Sequence, residues 1–310
     1  MSIRVGLGGV IPPLTTPLDT DGEIDTASLE RLCSFLIAAG VDGLFVGGSS
    51  GETALLSDSQ RYEVIDVAVS TAGGQVPVVA GAVDTGTARV IDHARAAAKR
   101  GAAAVVSTGP FYVAPHPDEV VRHFELISRA VDVPVIAYDI PSATNTRLPR
   151  DAIVELAESG TIAGLKDSSG DLTAFRQILL ATADTDLRVF TGSETVTDLA
   201  LRLGAHGQVP GLGNVDPDGY VRLGRAAAAG DWRTANAEQE RLLRLFSIID
   251  VADRSRIGFT AAALGAFKAA QYLRGVISLP RCADPLLPLV GRELDAIRAI
   301  LVREGISVER

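Results

Sequence analysis

Sulfur is scarce in this sequence: two cysteines, Cys33 and Cys282, and one methionine in 310 residues. The cysteines stand far apart with no C-x-x-C pair, which excludes a disulfide framework and leaves them as small core residues of a reducing compartment. The four histidines, His93, His116, His123 and His206, form no H-x-x-x-H or H-E-x-x-H spacing. Each reads as a surface or packing residue, and no carboxylate cluster resembles a metal site, so a metal-free chemistry is expected. No apolar run approaches the roughly 20 residues that span a bilayer. Met1–Gly6 lacks the basic patch and apolar stretch of a secretory signal, so the expected location is the cytoplasm. The net charge of -9 is spread along the chain. Without clustered Lys and Arg there is no footprint for nucleic acid.

What the sequence does have is 47% hydrophobic residues, arranged as short apolar runs that alternate with longer amphipathic stretches. The runs predict strands over Gly9–Pro17, Gly43–Gly48, Val76–Val83, Ala103–Pro110, Pro134–Pro141, Ile162–Ser169, Arg188–Glu194 and Gly207–Asn214. Helical patterns lie between them, among them Thr26–Ala39, Asp58–Ala72, Thr85–Lys99 and Leu172–Ala183, several opening on Ser, Thr or Asp. Strands apolar on both faces are parallel strands covered by helices. Eight βα units predict a (β/α)8 barrel over residues 1–229. An open dinucleotide-binding sheet is the competitor, but no G-x-G-x-x-G follows the first strand. After the eighth helix, at Asp216–Ala229, the alternation stops. Asp231–Val251, Gly258–Leu273 and Asp284–Glu304 predict a three-helix extension, residues 230–310, lying on the barrel.

In such a barrel the chemistry sits at the C-terminal strand ends. The only lysines are Lys99, Lys166 and Lys268. Lys99 ends a helix and Lys268 falls within one, so both are expected to face solvent. Lys166 instead lies inside the apolar sixth strand. Burial disfavours an ammonium ion, and a free amine attacks carbonyls. The alternative is a structural lysine paired with a carboxylate such as Asp167. Tyr138 lies near the end of the fifth strand, about 4.8 Å from its neighbour strand. Its hydroxyl could carry protons at that amine or could simply be a core aromatic with a backbone partner. Tyr112, after the fourth strand, is a second candidate hydroxyl. Gly47-Gly48-Ser49-Ser50-Gly51-Glu52 follows the second strand, where amides and hydroxyls can converge on a carboxylate or phosphate. An ordinary tight loop would look the same, and so would Gly211–Asn214 after the eighth strand.

The GGSSGE loop, Tyr138-Asp139-Ile140-Pro141 and Gly164-Leu165-Lys166-Asp167-Ser168-Ser169 together resemble the family of dihydrodipicolinate synthase and N-acetylneuraminate lyase, over nearly the whole chain. The resemblance implies a class I aldolase in which Lys166 forms an imine with a 2-oxo acid and Tyr138 shuttles protons. It implies that Ser49 and Ser50, with loop amides including Gly51, hold the substrate carboxylate. Gly192 and the Val209 carbonyl would lie beside the substrate, and Tyr112 would reach into a neighbouring subunit's site, completing a relay through Ser50. A homo-oligomer built as a dimer of dimers follows, with pyruvate and an aldehyde as partners and no metal or organic cofactor. The synthases carry Arg where this chain has Ala143, with Arg147 four residues on. The lyases' acidic pair is reduced to Glu194, and Asp139 replaces the usual Asn. Ala143 and the single acid at Glu194 point to a 2-keto-3-deoxy sugar acid type of substrate. The alternatives are the synthase itself with Arg147 as clamp, a dehydratase or hydratase-aldolase on the same imine, and a non-catalytic 2-oxo acid sensor.

Overall fold

The computed structural model describes residues 7–310, so the reading of Met1–Gly6 lies outside the described residues. Eight strands appear there: β1 (Gly9–Val10), β2 (Leu44–Val46), β3 (Val78–Gly81), β4 (Ala104–Thr108), β5 (Val135–Asp139), β6 (Gly164–Asp167), β7 (Arg188–Thr191) and β8 (Gly207–Gln208). All pair in parallel, in the order β1-β8-β7-β6-β5-β4-β3-β2. A parallel bridge between Pro13 and Phe45 joins the two ends of that order. There the Leu14 N–H donates to the Phe45 carbonyl at 2.8 Å, and the Phe45 N–H to the Pro12 carbonyl at 3.0 Å. The expected (β/α)8 barrel is what the chain forms.

The covering helices are α1 (Thr26–Ala39), α2 (Asp58–Ala72), α3 (Thr87–Lys99), α4 (Pro117–Ser128), α5 (Pro141–Thr144), α6 (Arg150–Glu158), α7 (Leu172–Ala181), α8 (Thr197–Arg202) and α9 (Pro217–Ala228), followed by α10 (Trp232–Phe246), α11 (Phe259–Leu273) and α12 (Gly291–Arg303). Local chemistry starts them. Ser57 and Gln60 cap α2 reciprocally, and the carboxylates of Asp25, Asp171, Asp216 and Asp231 accept first-turn amides of α1, α7, α9 and α10, satisfying donors that have no partner within a helix.

Every strand is shorter than its apolar run, and in three elements proline is the reason. The first strand pairs regularly only at Gly9–Val10, because Pro12, Pro13 and Pro17 have no N–H to donate. The eighth stops at Gln208 and turns at Pro210 into a 3-10 helix over Gly211–Asn214. The last helix begins at Gly291 rather than Asp284; Pro285 and Pro288 keep the preceding residues out of helical conformation.

The core has two layers. Ile11, Phe45, Val79, Val106, Ile136, Tyr138, Phe190 and Val209 fill the barrel interior. Val105, Ala137, Leu165 and Val189 belong to the larger layer between strands and helices. Successive strand residues point to opposite faces, and that alternation decides which polar residues meet in the barrel.

Candidate active site

On β6, Leu165 faces the helices, so Lys166 points into the barrel. It lines a small internal cavity with Ile11, Phe45, Val79, Val106, Ile136, Phe190 and Val209. The side chain is 5% exposed. Its Nζ lies 4.1 Å from the Tyr138 ring centroid and 5.0 Å from that of Phe45. Asp167 does not pair with it. That residue faces outward, and its Oδ1 accepts the Ser169 amide at 2.7 Å. The structural ion-pair alternative raised for Lys166 therefore has no support in the geometry.

Tyr138 sits opposite Lys166 in the β5–β6 register and beside Thr108 in the β4–β5 register. Thr108 escaped the sequence reading. It lies two residues beyond inward-facing Val106, is buried, and its hydroxyl has no hydrogen-bond partner among the described residues. Its carbonyl accepts from His123 Nε2 at 3.1 Å. Burial pushes that imidazole down to about 4, so at neutral pH His123 is an uncharged packing residue. Strand alternation was the signal that could have found Thr108.

Gly192 follows β7 and donates its N–H to the Asp167 carbonyl at 2.7 Å. A Cβ there would stand 3.2 Å from Lys166 Cε and would collide with the Ser168 side chain. The missing Cβ leaves room for the Ser168 side chain and for the lysine stem beside it. Val209 lies across the same cavity. Lys166, Tyr138, Gly192 and Val209 are thus brought together in the barrel interior.

The loop after β2 rims the mouth. Gly47 takes φ +67°, in the left-handed region open to glycine. The Gly51 and Glu52 amides donate to the carbonyls of Gly48 and Ser49, both at 3.1 Å, as successive tight turns. Ser49 is exposed and Ser50 half-buried. The Ser50 hydroxyl and a carboxylate oxygen of Glu194 both border Gly211. Glu194 follows β7, and its Oε1 accepts the Leu212 N–H. Loss of solvent raises its carboxyl to about 7, against the opposing pull of the Leu212 amide and the Lys166 charge. Tyr112 is the residue the fold does not bring in. It is 95% exposed, with φ +72°, beyond the end of β4.

Two departures in the tyrosine segment explain each other. Asp139 faces away from the barrel, 1% exposed. Its Oδ2 lies 2.7 Å from Arg147 Nε, and its Oδ1 accepts the Leu148 amide at 3.1 Å. An Asp at this position holds an Arg. Ala143 is exposed on the four-residue helix α5. Lys268, expected at the surface, is instead fully buried, with its Nζ paired to Glu52. A helical pattern cannot reveal which face a neighbouring segment covers, and here the 281–283 segment closes over the amine. Among the described residues, no group of three His, Cys, Asp or Glu side chains is placed to hold a metal ion.

Comparison with known proteins follows this geometry. Residues 6–304 match the model of the dihydrodipicolinate synthetase family. The 4-hydroxy-tetrahydrodipicolinate synthase of Methanosarcina barkeri is 38% identical over 227 residues, 73% of this chain and 77% of that protein. The dihydrodipicolinate synthase of Bacteroides thetaiotaomicron superimposes with a TM-score of 0.91 at 32% identity, covering 97% of this chain and 100% of that one. YagE of E. coli K12, a prophage protein of the dihydrodipicolinic acid synthase family in complex with pyruvate, gives a TM-score of 0.90 at 27% identity, covering 97% and 99%. A match from end to end, on a barrel with a lone lysine inside it, makes this chain a member of the dihydrodipicolinate synthetase family of pyruvate-dependent class I lyases.

Proposed function

We propose that the chain is a Schiff-base lyase that cleaves or forms a 4-hydroxy-2-oxo acid of the 2-keto-3-deoxy sugar acid type, with pyruvate as the 2-oxo acid. The observation that carries the substrate class is the direction of Arg147. Its Nε is committed to the outward-facing carboxylate of Asp139 at 2.7 Å. Its Nη1 turns toward Asp171 at 3.9 Å, also outside the barrel. A clamp for an anionic aldehyde would have to stand over Lys166 and Tyr138, and neither Arg147 nor Ala143 supplies one. Without a bidentate guanidinium, a substrate carboxylate loses charge-assisted hydrogen bonds of about 2 kcal/mol. The aldehyde portion is therefore uncharged. Glu194, whose carboxyl is raised to about 7 by burial, can offer a hydrogen bond to a hydroxyl at neutral pH.

The chemistry follows from an amine in an apolar cage. Lys166 attacks the pyruvate carbonyl, water leaves, and a protonated imine remains. That cation accepts the electron pair released when C3 loses its proton far more readily than the neutral ketone of pyruvate does. The enamine attacks the aldehyde carbon, the new alkoxide takes a proton from the Tyr138 hydroxyl, and hydrolysis returns the amine. Cleavage is the reverse. Ser49 and Ser50 would receive the carboxylate, with the Gly51 amide spent on the Gly48 carbonyl within the turn; Gly192 and Val209 would flank it, and no metal enters. Tyr112 stands free of its own barrel, which suits delivery to a second copy through Ser50 in a dimer of dimers.

Incubation with pyruvate, borohydride reduction and intact mass should give one adduct, mapped to Lys166. Aldehyde cleavage or condensation should then favour glyceraldehyde over aspartate semialdehyde. A wild-type protein with no adduct removes the imine. Efficient condensation with aspartate semialdehyde, and none with glyceraldehyde, replaces the substrate class by the second reading. That reading is a 4-hydroxy-tetrahydrodipicolinate synthase, the activity carried in the name of the Methanosarcina barkeri relative.

A further inference from the structure

Three polar side chains of the C-terminal helices reach the loops that form the barrel mouth. From α10, Gln239 Nε2 donates to the Glu194 carbonyl at 2.8 Å, beyond β7. From α11, Gln271 accepts the Thr15 hydroxyl at 2.8 Å and donates to the Asn214 carbonyl at 3.3 Å, beyond β1 and β8. One turn earlier on α11, on the same face, Lys268 pairs with Glu52, the last residue of the loop beyond β2. All three are buried.

The Lys268 contact is the most demanding. Both side chains of the pair are fully buried. Lys268 Nζ also donates to the Arg281 carbonyl at 2.6 Å, and Glu52 Oε2 accepts the Ala283 N–H at 2.6 Å. Glu52 has φ +59°, a left-handed conformation that a residue with a Cβ adopts only when its surroundings hold it there. Its amide closes the turn onto Ser49, while Thr16 donates its hydroxyl to the Gly51 carbonyl at 2.8 Å. The side chain is anchored in the extension, and the backbone shapes the turn that presents Ser49 and Ser50.

We propose that Lys268 is a positioning residue for the site: its ion pair with Glu52 fixes the Gly48–Gly51 turn in the conformation that receives the 2-oxo acid carboxylate. The extension is then a wall of the active site, acting on pyruvate capture rather than on the later chemistry. This rests on the imine reading above for the identity of the ligand.

The test uses the full-length Glu52→Gln/Lys268→Met double variant, because Lys268→Met alone would bury an unpaired carboxylate and risk unfolding. The double variant should fold, and hydrogen exchange at the Ser49–Glu52 amides should rise at least tenfold. KM for pyruvate should rise at least fivefold, while the rate of borohydride trapping at saturating pyruvate changes less than threefold. A folded double variant with unchanged loop exchange, or with unchanged KM for pyruvate, overturns the proposal. An equal fall in trapping rate at saturation with KM constant does so too. Wild-type protein that forms no pyruvate adduct overturns the imine reading instead, and loop exchange then decides the positioning role alone.

Discussion

Two residue pairs on the same two strands, one step apart, have opposite surroundings. Tyr138 and Lys166 face each other in register inside the barrel, and Asp139 and Asp167 face each other in register outside it. The inner pair meets Phe45, Ile136, Phe190 and Val209, an apolar cage without a carboxylate bonded to the amine. The outer pair is buried among backbone donors, and Arg147 lies against one member. The period of two that separates strand faces places reactive and structural charge within a single residue of each other. Polar residues at a strand end are therefore not all parts of the site. Only those facing inward share a cavity with Lys166, whereas the Arg147 Nε lies against the outward-facing carboxylate of Asp139.

The sharpest break of this comparison is at the inner lysine. Lys166→Ala should abolish both the borohydride adduct and turnover while circular dichroism stays native; a remaining adduct would place the imine elsewhere. Next in size is Tyr138→Phe, expected to lose about 10²-fold or more of turnover, as general acid–base residues do. Near-normal rates would return Tyr138 to a packing role. Ala143→Arg tests the missing clamp at an exposed position of α5. Its use of aspartate semialdehyde relative to glyceraldehyde should rise about tenfold, the scale of one charge-assisted hydrogen bond. Initial rates with the two aldehydes measure it, and an unchanged ratio would separate specificity from that position.

The smallest effect belongs to the outer pair. Burial raises the Asp139 carboxyl above its ordinary value, outweighing the Leu148 amide and the Arg147 charge. A folded value above the unfolded one means that the folded state binds the proton more tightly. Stability then falls as pH rises from the ordinary Asp value through the folded one, and the loss persists above it. Asp139→Asn should flatten that slope in denaturant melts and change stability at neutral pH by less than about 1 kcal/mol, since Arg147 is 40% exposed and can be solvated. A large loss at neutral pH would show that the ion pair holds the segment together.

Much of this was legible before any coordinates. Lys166 stood out because an ammonium inside an apolar strand has few structural reasons to be there, and the alternation of apolar runs predicted eight strands and their helices. The GGSSGE loop was visible as a turn but not as an anchored one, because the glutamate's partner, Lys268, is 216 residues away and was itself read as solvent-facing. Thr108 and the outward commitment of Arg147 were not seen, since both depend on which face of a strand a side chain takes and on what lies against it.

By itself, then, the sequence determined the barrel, its order of elements and the single lysine inside it, because strand and helix periods and the burial of apolar runs are local properties. The tertiary structure alone decided that Lys268 is bound to Glu52 and that Arg147 is turned toward Asp139. Charges find partners by proximity in space, and the alternation of strand faces and the packing of the C-terminal helices set that proximity.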